Sequence, residues 1–240
     1  SYVPFMVHPN KIGEAMASLR TLNIAGANIT VPFKEAVMPF MDSVSESATI
    51  IGAINTIARN KEKLKGYNTN AIGLMDAFEE IQFDPAGKTA LILGAGGAAK
   101  AAAFVLKWLK ADKIIIAGRH EARARQVAVR SSGEFIMTDE LLDHDIPVDV
   151  LINATTVSSR EESSEYADIA EKLKLPQCEL IFDLNYGRKQ NFWQEKAQKN
   201  GIIFHDGLLN LIHQAKNSLA LWTGLEIETK EFRKALESAV

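Results

Sequence analysis

Only one cysteine, Cys178, occurs in the 240 residues, so no intramolecular disulfide is available and a reducing cytoplasm is the expected compartment. It lies in CELIFDL, an apolar run that reads as a buried strand, where an inert core thiol outweighs a nucleophile. Neither charge is in excess: 27 Lys and Arg against 30 Asp and Glu leave a net charge of −3, which argues against nucleic acid as a main partner. No stretch reaches the roughly 18 to 20 uninterrupted apolar residues of a membrane helix. The opening SYVPFMVHPNKIG lacks the basic-then-apolar order of a secretory leader. No fixed-period repeat or low-complexity tract is present. His205 and His213 have no companions at metal-ligand spacing, so no metal site is expected.

What the chain does have is a steady alternation. Short apolar, β-branched runs (YVPFMV, GANITV, TALILG, KIIIAG, VDVLINAT, CELIFDL, GIIFHD) alternate with segments of helical period such as KIGEAMASLRTL, KAAAFVLKWLK, EARARQVAVRS and NFWQEKAQKN. That pattern predicts an α/β fold with parallel sheets, and the length suits two domains. A boundary is expected at FDPAGK (83 to 88), where Pro85 and Gly87 interrupt a helix that starts near Asn70. GLLNLIHQAKNSLALWTG reads as a helix closed by Gly224, with a last helix over roughly 229 to 238. The serine-rich stretch 155 to 168 reads as a surface loop. Trp108, Trp193 and Trp222 fall at helical core spacing.

The most specific local signal is TALILGAGGAAKAAAFVL. A buried strand ends at Leu93, Gly94-Ala95-Gly96-Gly97-Ala98-Ala99 follows, and an alanine-rich helix begins at once. This is the G-x-G-x-x-A form of the dinucleotide fingerprint in the strand-to-helix setting it requires. Gly94 permits the tight turn, Gly96 lets the backbone approach a pyrophosphate, and Ala99 lets helix and strand pack closely. A purely structural turn is the bland alternative. A P-loop is the sharper one, but Ala99 replaces its second glycine and Ala101 its Mg²⁺-binding hydroxyl.

The next strand, DKIIIAGRH, ends where the adenosine ribose would lie. NAD-binding chains place an acid there for the 2′-hydroxyl, whereas this chain has Gly118-Arg119-His120. With no acid to repel a 2′-phosphate and Arg119 able to hold one bidentately, NADP is the expected cofactor. Arg123 and Arg125 read as a solvated helix face.

Upstream, NITVPFKEAV turns at Pro32 and offers Lys34 at the start of a short helix. A solvated charge is the default for any lysine, but GAINT, GYNTN and HQA also end apolar runs with polar clusters. NITVPFKE, IGAINT, GYNTN-IG, LILGAGGAAKA, Arg119, INATTV and LIHQA…LWTG together, in this order, resemble the shikimate dehydrogenase family over nearly the whole chain. The resemblance implies a two-domain α/β enzyme with a parallel-sheet substrate domain and a Rossmann NADP-binding domain. It implies NADPH-dependent reduction of 3-dehydroshikimate in aromatic amino-acid biosynthesis, by a monomer or homodimer. It assigns residues 1 to 84 and the C-terminal helices, 215 to 240, to the substrate domain, and 85 to 214 to the cofactor domain. Carried over by position, Lys34 is the catalytic lysine beside the reacting oxygen, Asn55 and Gln214 bond the substrate, and Thr30 and Tyr186 line the same cleft. Gly94, Ala95, Gly96, Gly97, Ala98, Arg119, Thr155 and Gly207 face the cofactor.

Departures from the family pattern are informative. The chain opens at what resembles the family's second strand, so the expectation is a fragment without the first strand, first helix and Ser-x-Ser loop that binds the substrate carboxylate. A sheet lacking that strand would expose an edge. Asn70 stands where the family has the aspartate that pairs with the catalytic lysine. Thr156 and Ser158 replace proline and glycine near the nicotinamide, and Asn210 replaces an apolar residue. Quinate or another shikimate-like acid is the rival substrate. A weakened or non-catalytic NADP-binding relative is the rival from another class.

Overall fold

The computed structural model describes residues 1–143 and 146–237. The first unit runs α1 (Ile12–Thr21), β1 (Gly26–Asn28), β2 (Ser43–Val44), α2 (Glu46–Ile51), β3 (Thr56–Asn60), β4 (Lys63–Tyr67) and α3 (Thr69–Glu80). Its sheet has the order β1-β3-β4-β2. β3 pairs antiparallel with both β1 and β4, and only β2 joins in parallel. The sheet is therefore mixed where a parallel one was expected. The reason lies in the two residues Lys61-Glu62 that connect β3 to β4, a link too short for any crossover, with Lys61 in the left-handed region. α2 is capped by the Ser45 side chain, which accepts from the Ala48 N–H, and ends at left-handed Gly52.

The second unit alternates strand and helix except between β7 and β8: β5 (Thr89–Leu93), α4 (Gly97–Trp108), β6 (Lys113–Gly118), α5 (Glu121–Ser131), β7 (Glu134–Met137), β8 (Val150–Asn153), α6 (Ser164–Lys172), β9 (Leu180–Asp183), α7 (Phe192–Asn200) and β10 (Ile203–His205). All pairs are parallel, in the order β10-β9-β8-β5-β6-β7. β5, β8 and β9 are apolar on both faces because helices cover both, and the order reverses between β5 and β8, which opens a crevice at their C-terminal ends. α8 (Gly207–Thr223) then leaves this sheet, runs through residue 214 and packs along α3, and α9 (Thr229–Glu237) follows. Residues 238 to 240 of the expected C-terminal stretch lie outside the described residues.

Four local readings need correction. YVPFMV is not a strand: among the described residues it has no ladder partner, Pro4 removes a donor, and Tyr2, Val3, Phe5 and Met6 are exposed. Lys34 sits in consecutive turns rather than in a helix, because the 3₁₀ turn Met38–Phe40 starts only four residues later. The serine-rich stretch is a loop only as far as Ser163, whose hydroxyl caps α6. Trp108 is not in the core. It is 65% exposed at the end of α4, whereas Trp193 is fully buried.

Candidate active site

The first unit brings its chemistry together through short backbone links. Ile29 N–H donates to the Asn55 carbonyl at 2.7 Å and Ile54 N–H to the Lys34 carbonyl at 2.8 Å, so the loop carrying Thr30 and Lys34 lies against the loop carrying Asn55. Thr30 itself is exposed beside Ile29. Asn68 caps α3 by accepting from the Ala71 N–H at 3.0 Å, which fixes the helix start so that Thr69 and Asn70 face the Asn55 loop.

Asn55 is the hub. Its Nδ2 donates to Thr69 Oγ1 at 3.0 Å, Asn70 Oδ1 at 3.3 Å and Gln214 Oε1 at 3.1 Å, while its Oδ1 accepts the Thr69 backbone N–H at 2.7 Å. Gln214 arrives from α8, more than 150 residues away in sequence. One helical turn further along α8, Ser218 Oγ lies 3.0 Å from Thr56 Oγ1 and accepts from Asn28 Nδ2 at 3.0 Å. The exposed Asn28 and the buried Thr56, Thr69 and Ser218 complete this polar network and were not singled out from the sequence. The first three sit inside the quoted motifs, and the i, i+4 spacing from Gln214 marks Ser218.

Lys34 stands apart from that network. Its ammonium makes no hydrogen bond or ion pair among the described residues, and burial lowers its pKa from the usual lysine value. A Cβ added at Gly97 would lie 3.4 Å from Lys34 Cδ, which puts the lysine stem against the start of α4. The next residue, Glu35, pairs with the buried Lys100 of α4 at 2.8 Å, so the two units are tied together beside Lys34.

The glycine-rich turn fits a dinucleotide. Gly94 has φ +106°, and a Cβ there would lie 2.9 Å from the Ala154 carbonyl oxygen, so only glycine is accommodated. Nothing lies within 4 Å of a Cβ placed at Gly96, and no side chain caps α4, so its first N–H groups remain available to an anion. Thr155 adjoins Gly94 and donates its hydroxyl to Asn153 Oδ1 at 2.7 Å. Arg119 is exposed after β6 and pairs with no carboxylate among the described residues, while neighbouring Gly118 lies beside Ala95. Arg125 instead pairs with Glu121 at 2.8 Å on the α5 surface, and Arg123 is exposed there.

Behind this face, Asp183 is fully buried at the end of β9. Its carboxylate accepts from Asn153 Nδ2 at 2.8 Å, Asn191 Nδ2 at 2.6 Å and the Asn185 backbone N–H at 3.0 Å. Burial raises its pKa above the ordinary carboxylate value against the pull of these donors. It joins the loops carrying Thr155 and the half-exposed Tyr186. Gly207, the first residue of α8, donates its N–H to the Asn185 carbonyl at 2.8 Å, and a Cβ there would strike the Leu184 carbonyl. Asn210 is buried on α8 with its Oδ1 unpartnered, against Gly73 of α3. His213 bonds Glu80, and among the described residues no cluster could hold a metal ion.

Two family models match successive parts of the chain. Residues 1–57 match the family model for the shikimate dehydrogenase substrate binding domain, and residues 77–196 match that for shikimate / quinate 5-dehydrogenase. The shikimate dehydrogenase (NADP(+)) of Desulforamulus reducens is 35% identical over 249 residues, covering 100% of this chain and 85% of that protein. A shikimate dehydrogenase solved in complex with NADP+ superposes with a TM-score of 0.85 at 32% identity, covering 100% of this chain and 85% of that one. The Thermus thermophilus enzyme, solved with NADP(H) and shikimate, superposes with a TM-score of 0.82 at 27% identity, covering 98% of this chain and 86% of that one.

Proposed function

This chain belongs to the shikimate dehydrogenase family, and on that premise we propose that it performs the NADP-dependent, reversible reduction of 3-dehydroshikimate to shikimate. The observation that carries this reading is the meeting of Lys34, from one unit, with the start of α4, from the other, on a loop hydrogen-bonded to the one whose Asn55 amide joins Asn70 and Gln214. A polyhydroxylated ring acid needs several amide partners, and an alkoxide forming at its ketone needs a proton donor.

In this reading residues 1–84 and the C-terminal helices from 215 onward serve the substrate, and 85–214 serve the cofactor. Gly94 to Ala98 would hold the pyrophosphate, Arg119 the 2′-phosphate, and Thr155 and Gly207 the nicotinamide side. Bound there, NADP supplies or accepts the hydride. Lys34 Nζ delivers the proton to the reacting oxygen, and its burial makes that proton easier to release. Thr30 and Tyr186 line the cleft. A ring hydroxyl takes over the Asn55 N–H that otherwise goes to Gln214 Oε1. The single buried thiol is consistent with a reducing, cytoplasmic setting.

The test is shikimate-dependent reduction of NADP⁺, with quinate in parallel. Lys34→Ala should lower turnover by about 10²- to 10⁴-fold while NADP⁺ affinity stays within about twofold. Full activity in that variant would remove Lys34 from the mechanism. Asn70 favours a second reading, a weakened or non-catalytic relative. NADP⁺ binding without turnover of shikimate or quinate would select it.

A further inference from the structure

On the face of α4 turned toward α2 and α5, a groove of about 390 Å³ lies between the two units. That volume falls in the range of small-molecule sites. Its floor is apolar: Ile50, Ala103, Phe104 and Val127, with Trp108 stacked on Phe104 at a centroid distance of 6.3 Å and otherwise exposed. Large apolar side chains held open to solvent in a concavity, rather than scattered singly, signal an occupant.

The rim carries one sign of charge. Lys100, Lys107 and Arg130 line the groove, and no carboxylate does. Lys100 is already neutralised by Glu35 at 2.8 Å. Lys107 and Arg130 are not: among the described residues neither pairs with an acid. Lys107 Nζ donates only to the Arg130 carbonyl at 3.2 Å and Ser132 Oγ at 2.9 Å, and Arg130 Nη1 only to the Ile51 carbonyl at 3.3 Å. An ammonium has three N–H donors and a guanidinium five, so both keep donors free at the edge of an apolar floor. The Arg130 bond to α2 also holds the two walls of the groove together.

We propose that this groove binds a small organic monoanion with an apolar or aromatic body and one carboxylate. The body lies on Ile50, Phe104, Val127 and Trp108, and the carboxylate meets Lys107 and Arg130. The charged end of the site is separate from the Lys34 cleft: along α4, Lys107 is ten residues from Gly97, about 15 Å at 1.5 Å per residue, while Lys100, at the near end of the groove, is taken by Glu35. Occupancy is therefore compatible with bound cofactor and substrate.

The test uses 3-phenylpropionate as probe and 3-phenylpropan-1-ol as its uncharged match, by titration calorimetry on the intact chain with and without saturating NADP⁺ and shikimate. One equivalent of the acid should bind, changed less than about twofold by NADP⁺ and shikimate, and the alcohol should bind at least about tenfold more weakly. Lys107→Glu should weaken the acid by at least about tenfold and Trp108→Ala by about fivefold. Both positions are outside the Lys34 cleft, so NADP⁺ affinity serves as the folding control. No binding of the acid by about 10 mM overturns the proposal. So does displacement of the acid by NADP⁺ or shikimate, or wild-type binding in both variants. A dimer by sedimentation velocity that Trp108→Ala dissociates would assign the groove to a second copy and overturn it equally.

Discussion

Asn70 Oδ1 accepts an N–H from Asn55 at 3.3 Å, which turns the carbonyl end of the Asn70 amide toward Asn55 and leaves its NH₂ for other partners. Asn70 carries no negative charge, and among the described residues it makes no hydrogen bond to Lys34. Lys34 is accordingly desolvated without a compensating anion, and its pKa falls. The proposed site is thus a hydrogen-bonded cluster of amides and hydroxyls with a lysine whose ammonium pairs with no acid among the described residues.

Arg119 is exposed and unpaired with any carboxylate among the described residues, as a 2′-phosphate ligand would be in the free protein. Arg119→Ala should weaken NADP⁺ by about 10- to 100-fold, the worth of a charge-assisted bidentate contact, and leave NAD⁺ within about twofold. Equal losses for both cofactors, measured by fluorescence titration, would make Arg119 a structural residue instead.

Asp183 accepts from three asparagines at the back of the cleft, and for Asn191 Nδ2 it is the only acceptor among the described residues. Asp183→Ala should reduce unfolding free energy by about 2–4 kcal/mol in urea, because buried donors lose their acceptor. NADP⁺ affinity should fall with it, since the Thr155 loop is held through Asn153 and Asn185. A stability change below about 0.5 kcal/mol would show that the network relaxes around its missing centre.

Cys178 has its thiol pKa pushed up to about 11 by burial. At pH 8 about one thiol in a thousand is then ionised in the folded protein. A chromogenic disulfide reagent should react at least about a hundredfold faster in concentrated guanidinium chloride than under native conditions. Similar rates in both would mean that the thiol is open to solvent.

The parts legible in the sequence are those with a local physical signature. Gly94 is dictated by its backbone conformation and Ala99 by close packing, so the strand-turn-helix was readable, and Gly224 marked the end of α8 by its left-handed conformation. The β3–β4 hairpin was missed because ARNKEKLKG is charged outside and apolar at few positions, leaving weak alternation. Trp108 satisfied helical periodicity yet faces solvent, because periodicity assigns a side but not whether a neighbour covers it. Asp183 and its asparagines, Lys100 with Glu35, and Ser218 with Asn28 join residues far apart in the chain, and such pairings leave no local pattern. Lys34, Asn55 and Gln214 were reached only through motif resemblance.

The central claim is that Lys34 moves the proton and that Asn70 withholds the anion it would otherwise have. Asn70→Asp tests it through the pH dependence of turnover in the direction of ketone reduction. Reduction needs Lys34 protonated, so activity declines as pH rises through the Lys34 pKa. A carboxylate at position 70 favours the ammonium and raises that pKa. The account predicts that the alkaline limb moves up by about one pH unit or more and that turnover at neutral pH rises by about tenfold or more. An unmoved limb with unchanged or lower turnover, in a variant that still binds NADP⁺ normally, would contradict it.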